Sequence, residues 1–277
     1  MSRMDTRSVL GNVARRLPRG RGRAANWLHR HPGDGPIAFV DTTGHSRTAD
    51  LRDVLECQWF AGVHVGLPDE VSALVGPGDW AIDIGANVGV VTGQLAARVG
   101  ASGRVWAIEP VPRNSACLKA LCESNDLKMI RTFNVALGAE DGTVSLRLPP
   151  PGNSAVASVT ASWINADKIT VPLRSLDSLV AEHGIEGRLS LIKIDVEGYE
   201  SQVLAGATET LARFRPLLYV EFNDEILRDA GSSSMELLGR FQDAGYRAVD
   251  AVGSAAPRLD MRVVDLLLRP ADVRAGG

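Results

Sequence analysis

The chain reads as an α/β protein, a mostly parallel sheet with helices on both faces. Three observations predict this. From residue 80 onward, short apolar runs alternate with longer segments of helical periodicity. Four of the apolar runs end on an acid: Trp80-Ala81-Ile82 on Asp83, Val105 to Ile108 on Glu109, Leu189 to Ile194 on Asp195, and Leu217 to Val220 on Glu221. Directly after the first run, Gly85-Ala86-Asn87-Val88-Gly89 forms a glycine-bearing turn, and Val88, Val91, Leu95 and Val99 follow at helical spacing until Gly100. That is strand, loop and helix, with a backbone able to approach a ligand closely.

Before this unit, residues 1–66 read as an Arg-rich arm followed by a cap or lid segment, and residues 67–277 as the main domain. Residues 1–36 suggest a mobile or partly helical arm, either a solvated tail or an arm for an acidic partner. Ile37 to Val40 reads as a strand closed by the turn Asp41 to Gly44. Leu51, Val54, Leu55 and Trp59 have helical spacing, and His64 sits in a Gly-flanked patch. Pro68 opens a helix stopped by Gly76-Pro77-Gly78.

Beyond Glu109, Pro112 to Asn125 reads as a helix and Arg131 to Val135 as a third strand. Residues 139–173 break the rhythm. Thr143 to Leu148 and Ile169 to Leu173 look like strands around a Pro-rich, then Ser/Thr/Ala-rich, segment, which suggests a binding loop. Ser175 caps a helix to His183, Tyr199 to Phe214 reads as one long helix, and Ser233 or Ser234 caps another that carries Met235, Leu238 and Phe241. Tyr246 to Val249 and Val263 to Leu268 have no helix between them, so an antiparallel edge hairpin is expected. No internal repeat is visible.

Composition narrows the classes. The net charge is −3, with 45% hydrophobic and 23% charged residues, as in ordinary globular proteins. Residues 1–32 hold eight arginines against the single acid Asp5, which leaves the remainder acidic and a nucleic-acid-binding face unexpected. Cys57, Cys117 and Cys122 cannot pair completely and suggest buried free thiols in a reducing cytoplasm. No apolar run is long enough to span a membrane, and no apolar signal segment follows the N-terminal arginines.

Strand-end acids in an open α/β sheet line one cleft beyond the strands' carboxyl ends. Glu109 ends the second strand of the first strand–helix–strand unit, where a carboxylate suits the two hydroxyls of a ribose. The loop departs from the GxGxxG pyrophosphate pattern: Asn87 stands where a second glycine belongs, and Asp83 would repel a pyrophosphate but attract a cation. A nucleoside with an amino group and a positive centre fits better, and S-adenosylmethionine is such a molecule.

Asp83-x-Gly85-x-Asn87-x-Gly89 resembles the first motif of class I S-adenosylmethionine-dependent methyltransferases. The wider pattern resembles the FkbM family: Asp79 to Gly89, Ala107-Ile-Glu-Pro110, Asn134-Val-Ala-Leu-Gly138, Leu176-Asp-Ser-Leu179, Ile192-Lys-Ile-Asp-Val-Glu-Gly-Tyr-Glu200 and Val203-Leu204-x-Gly206. It covers roughly residues 68–225. The resemblance implies a Rossmann-like methyltransferase fold with a seven-stranded sheet. It also implies transfer of a methyl group to a hydroxyl of a sugar, polyketide or other secondary metabolite. By that resemblance Gly85, Ala86, Asn87 and Gly89, with Ile84 beside them, would hold the methionine part and ribose. Asp83 would face the amino group, and Glu109 with Pro110 would take the ribose. Val135 or Ala136 would border the adenine, and Asp195 would stand near the methyl donor.

A hydroxyl acceptor needs a general base. Asp195, Glu197 and Glu221 are the acidic candidates, His64 and His183 the imidazole ones. Glu200 has the simpler role of an acid opening a helix. Asp195, Glu221 and Asn223 could instead hold Mg²⁺. Trp80 and Trp106 read as strand packing, and Trp163 could line the acceptor pocket. The expected partner is a small hydroxyl-bearing molecule, and a homo-oligomer is compatible with the sequence. The competing functions are an NAD(P)-dependent oxidoreductase, and a nucleic-acid-binding protein or RNA methyltransferase that uses the arginines.

Overall fold

The computed structural model describes residues 20–63, 66–148, 158–159, 167–249 and 263–271. Among the described residues the first elements are helix α1 (Arg21–Arg30), hairpin β1 (Ile37–Val40) and β2 (Ser46–Ala49), and helix α2 (Val54–Phe60). Asp53 caps α2 by accepting from the Glu56 N–H. These elements share a core of Leu28, Phe39, Leu51, Trp59 and Phe60, which also takes in Val88 and touches Val90 and Cys117 of the main domain. Residues 21–30 are therefore a docked helix, while the arginines before residue 20 lie outside the described residues.

The main domain follows with α3 (Asp69–Ser72), β3 (Trp80–Ile84), α4 (Val90–Val99), β4 (Arg104–Ile108), α5 (Pro112–Ser124), β5 (Ile130–Phe133) and the two-residue β6 (Ala136–Leu137). Then come β7 (Gly142–Arg147), β8 (Lys168–Arg174), α6 (Leu176–His183), β9 (Leu189–Ile194), α7 (Glu200–Ala205) and α8 (Thr208–Phe214). The last elements among the described residues are β10 (Leu217–Asn223), α9 (Asp224–Asp229), α10 (Ser234–Asp243), β11 (Tyr246–Val249) and β12 (Val263–Pro270).

Seven strands form one sheet in the order β11-β12-β10-β9-β3-β4-β5. β3, β4, β5, β9 and β10 pair in parallel, and β12 runs antiparallel between β10 and β11. This is the Rossmann-like class I methyltransferase fold, with the expected edge hairpin. Both faces are covered because alternate strand residues point opposite ways. Ile82, Trp106 and Ile192 join the core under α6, α7, α8 and α10, whereas Ala81, Val105 and Leu191 join the core under α4. Trp80 and Trp106 meet edge to face at 6.1 Å, as packing residues.

The boundaries differ from expectation in four places. The two strands in the segment from 139 to 173 join β6 in a separate small sheet, order β6-β8-β7, and the Pro-rich stretch between them lies outside the described residues. The helix expected over Tyr199 to Phe214 breaks into α7 and α8 at Gly206, whose backbone packs directly against the Gly138 carbonyl with no room for a Cβ. The third strand stops at Phe133 rather than Val135. Finally, β10 continues past Glu221 to Asn223, because β12 supplies hydrogen-bond partners where β9 no longer does.

Candidate active site

The loop after β3 is built backbone on backbone. The Gly85 and Ala86 N–H groups both donate to the Ile108 carbonyl at 3.0 Å. Gly85 has φ 74°, and a Cβ there would run into the Asp195 carbonyl oxygen. Only glycine brings the two strand ends this close. Asn87 takes a left-handed φ of 51°, which asparagine tolerates better than most residues.

Asn87 also carries the loop to Glu109. Its N–H donates to Glu109 Oε2 at 2.9 Å, and the Val111 N–H donates to Glu109 Oε1 at 2.9 Å. The Glu109 side chain is thus held rigidly, with lone pairs to spare. Burial raises its pKa to about 7, opposed by these N–H groups and by Lys193. Asn134 braces the same turn, donating to the Glu109 and Pro110 carbonyls at 2.8 and 2.9 Å.

Lys193 is the cation at the centre. Strand alternation puts it on the same side of β9 as Asp195, and parallel pairing sets it opposite Asp83. Its Nζ donates to the Gly85 carbonyl at 2.8 Å and lies 3.2 Å from Asp195 Oδ2 and 3.5 Å from Asp83 Oδ1. Burial disfavours its charge, but the Asp195 and Asp83 carboxylates outweigh that and raise its pKa. Asp83 itself is 0% exposed and also accepts from the Thr92 hydroxyl at 2.6 Å.

Across the mouth stand three carboxylates. Asp195, Glu197 and Glu221 can bring one oxygen each within 4.8 Å of one another, the spacing of a shared cation. Burial, and then the neighbouring Asp195 and Glu221 charges, push Glu197 up to about 9. Burial followed by Asp195 and Asp265 raises Glu221. Glu197 has φ 54°, and Ser158, bridged to Arg147 of β7, holds it there by donating its hydroxyl to the Glu197 carbonyl at 2.8 Å. Glu200 secures the same turn from the other side, its carboxylate accepting from the Val196 and Gly198 N–H groups.

These parts surround a cavity of about 260 Å³. Of the residues singled out by sequence, Ile84, Gly85, Ala86, Asn87, Glu109, Pro110, Val135, Ala136, Asp195, Glu197 and Glu221 are on its wall. Asp83 and Gly89 are not: Asp83 lies sealed behind the wall with Thr92 and Lys193, and Gly89 opens α4. Asn223 caps α9, accepting from the Ile226 N–H, while the acid grouped with Asp195 and Glu221 is Glu197. His183 packs against Phe133 and bonds Arg131, away from the cavity. His64 and Trp163 lie outside the described residues.

Among the wall residues that sequence reading did not assign to the site are Lys193, Tyr199 and Leu55. The period-two spacing of Lys193 and Asp195 carried the signal for the first. Leu55 comes from the cap, and no local pattern announces that α2 reaches the cavity.

The comparisons follow this geometry. The sequence profile described as "Methyltransferase FkbM domain" matches residues 83–248, more than half of the chain. The chain belongs to the FkbM methyltransferase family. The 2-O-methyltransferase NoeI of Sinorhizobium fredii (strain NBRC 101917 / NGR234) is 30% identical over 174 residues, 57% of this chain and 68% of NoeI. Methyltransferase sdnD of Sordaria araneosa is 26% identical over 156 residues, 46% of this chain and 60% of its own length. Among solved structures, methyltransferase FkbM from Methylobacillus flagellatus KT has a TM-score of 0.45 at 16% identity, covering 94% of this chain and 58% of that one. By its family the chain is a methyltransferase, and the profile begins at Asp83. Among the described residues, no helix is long and apolar enough to cross a membrane.

Proposed function

We propose that this chain transfers the methyl group of S-adenosylmethionine to a hydroxyl oxygen of a small acceptor, a sugar, polyketide or similar secondary metabolite. The observation that carries the reading is the pairing of Glu109 with the glycine loop on one cavity wall, beside an apolar stretch of Val135, Ala136 and Leu137. A rigid carboxylate suits a ribose diol, an apolar slot suits an adenine, and the carboxylates at the mouth suit a positive centre. NoeI, a 2-O-methyltransferase by name, supports oxygen as the acceptor atom.

S-adenosylmethionine, when bound, supplies a methyl carbon on a cationic sulfur. A hydroxyl acceptor would release one proton in the transfer, and a residue of this chain must take it. The residues of this chain govern alignment and the proton. The glycine loop and Glu109 would hold the donor. Asp195, Glu197 and Glu221 act as one coupled unit, and its ionised member takes the proton. Lys193 keeps Asp195 oriented through their 3.2 Å contact.

The same three carboxylates favour a second form of the mechanism. Three oxygens within 4.8 Å could hold Mg²⁺, which would orient and acidify the hydroxyl. A reducing cytoplasm fits the free thiols of Cys57, Cys117 and Cys122. The test is incubation with methyl-labelled S-adenosylmethionine and a panel of sugars and polyketides, with and without EDTA. Label in an ether product supports the reading, and loss of label under EDTA selects the metal form. Label transferred only to nitrogen or carbon acceptors contradicts it.

A further inference from the structure

Arg47 lies in the cap, outside the segment matched by the family profile, yet it reaches the cofactor loop. Its side chain is 3% exposed. Nη1 donates to the Val88 carbonyl at 3.1 Å and Nη2 to the Gly89 carbonyl at 2.8 Å. Nε donates to Asp41 Oδ2 at 2.8 Å, and the guanidinium lies 4.5 Å over the Trp59 ring. Asp41 is itself fixed: its Oδ1 accepts from the Thr43 N–H, the Thr43 hydroxyl and the His45 N–H.

The main domain leaves room for this side chain. Gly93, one turn after Gly89 on α4, faces Arg47, and a Cβ there would collide with Nη2. A glycine inside a helix is unfavourable relative to alanine, so its place here answers to packing. A buried guanidinium is likewise costly unless fully bonded, and here it is bonded to one carboxylate and two carbonyls.

We infer that Arg47 is a positioning residue for the cofactor loop, acting from the cap on the carbonyls of Val88 and Gly89. A trans peptide holds its N–H antiparallel to its C=O. The Gly89 carbonyl also accepts from the Gly93 N–H at 3.0 Å, so the guanidinium and the first turn of α4 hold it together, and with it the Val90 N–H of the same peptide. Val88 and Val90 both line the cavity. The cap thus sets the shape of the loop before ligand arrives, so that binding does not have to order it. Lysine cannot replace the fork, because a single ammonium has no fixed geometry for three acceptors.

This rests on S-adenosylmethionine as the ligand, and the test separates the two. Calorimetry measures S-adenosylhomocysteine binding to the full chain and to Arg47→Lys, Gly93→Ala and Leu51→Ala, at a temperature well below every melting point. Leu51 is buried in the cap core and serves as a control for general loosening. The expected result is that Arg47→Lys and Gly93→Ala bind about tenfold more weakly, the size of one charge-assisted hydrogen bond. Leu51→Ala should bind as wild type despite a lower melting point. The inference is overturned if Arg47→Lys and Gly93→Ala bind as wild type, or if Leu51→Ala weakens binding as much as they do. Failure of the wild type to bind overturns the cofactor assignment instead.

Discussion

Lys193 Nζ stands 3.2 Å from the Asp195 carboxylate, joining the buried core of the sheet to the mouth of the cavity. The same ammonium is the cation beside the sealed Asp83. Lys193→Met should leave both carboxylates uncompensated and cost about 3–5 kcal/mol of stability. Urea denaturation measures this. Adding Asp83→Asn to Lys193→Met should recover part of the loss, because the two sites are coupled; strictly additive losses would contradict the pairing.

Glu109 makes cofactor binding depend on pH. In the ligand-free protein it titrates at about 7. Only its ionised form accepts from both hydroxyls of a diol, so affinity should rise with pH through that value. With a pKa of about 7, the dissociation constant should weaken about fivefold between pH 7 and pH 6. Glu109→Gln should bind weakly at every pH and show a flat profile.

Glu197 has the opposite consequence for stability. Its folded pKa, about 9, lies above its ordinary value of 4.5, so folding favours the protonated acid. The native state is then increasingly penalised as pH rises from about 4.5 toward 9. Glu197→Gln should therefore stabilise the protein at pH 8.5, by about 1–4 kcal/mol, while changing little at pH 5. Melting curves at the two pH values check this; a stability loss at pH 8.5 would show that the carboxylate is favourably paired.

Gly85 and Gly89 both have positive φ, but they meet different neighbours. A Cβ on Gly85 meets the Asp195 backbone, which cannot yield, whereas one on Gly89 meets the Leu118 side-chain tip at 2.6 Å. Gly85→Ala should thus be the more damaging change, by about 1–3 kcal/mol in urea denaturation. Equal losses would mean that the two strand ends are not locked together.

The legible parts of this chain are those where burial imposes a period. Ile82, Trp106 and Ile192 against Ala81, Val105 and Leu191 announce a sheet covered on both faces, and acids at the strand ends mark the cavity rim. Glu109 was readable for that reason. Parts decided by tertiary partners were not. Ser46-Arg47-Thr48-Ala49 has no apolar alternation, yet it is a strand because β1 and the loop after β3 satisfy it. Asp83 looked like a ligand contact, but Thr92 and Lys193 close it off. The left-handed turn at Glu197, which brings it beside Asp195 and Glu221, depends on Ser158 from a distant segment.

Calorimetry with S-adenosylhomocysteine tests the central claim most directly, with wild type and Glu109→Ala titrated side by side and NADH as the competing ligand. The account predicts that wild type binds the nucleoside, that Glu109→Ala loses that binding while remaining folded, and that NADH gives no heat. Binding of NADH by wild type without binding of S-adenosylhomocysteine would contradict it.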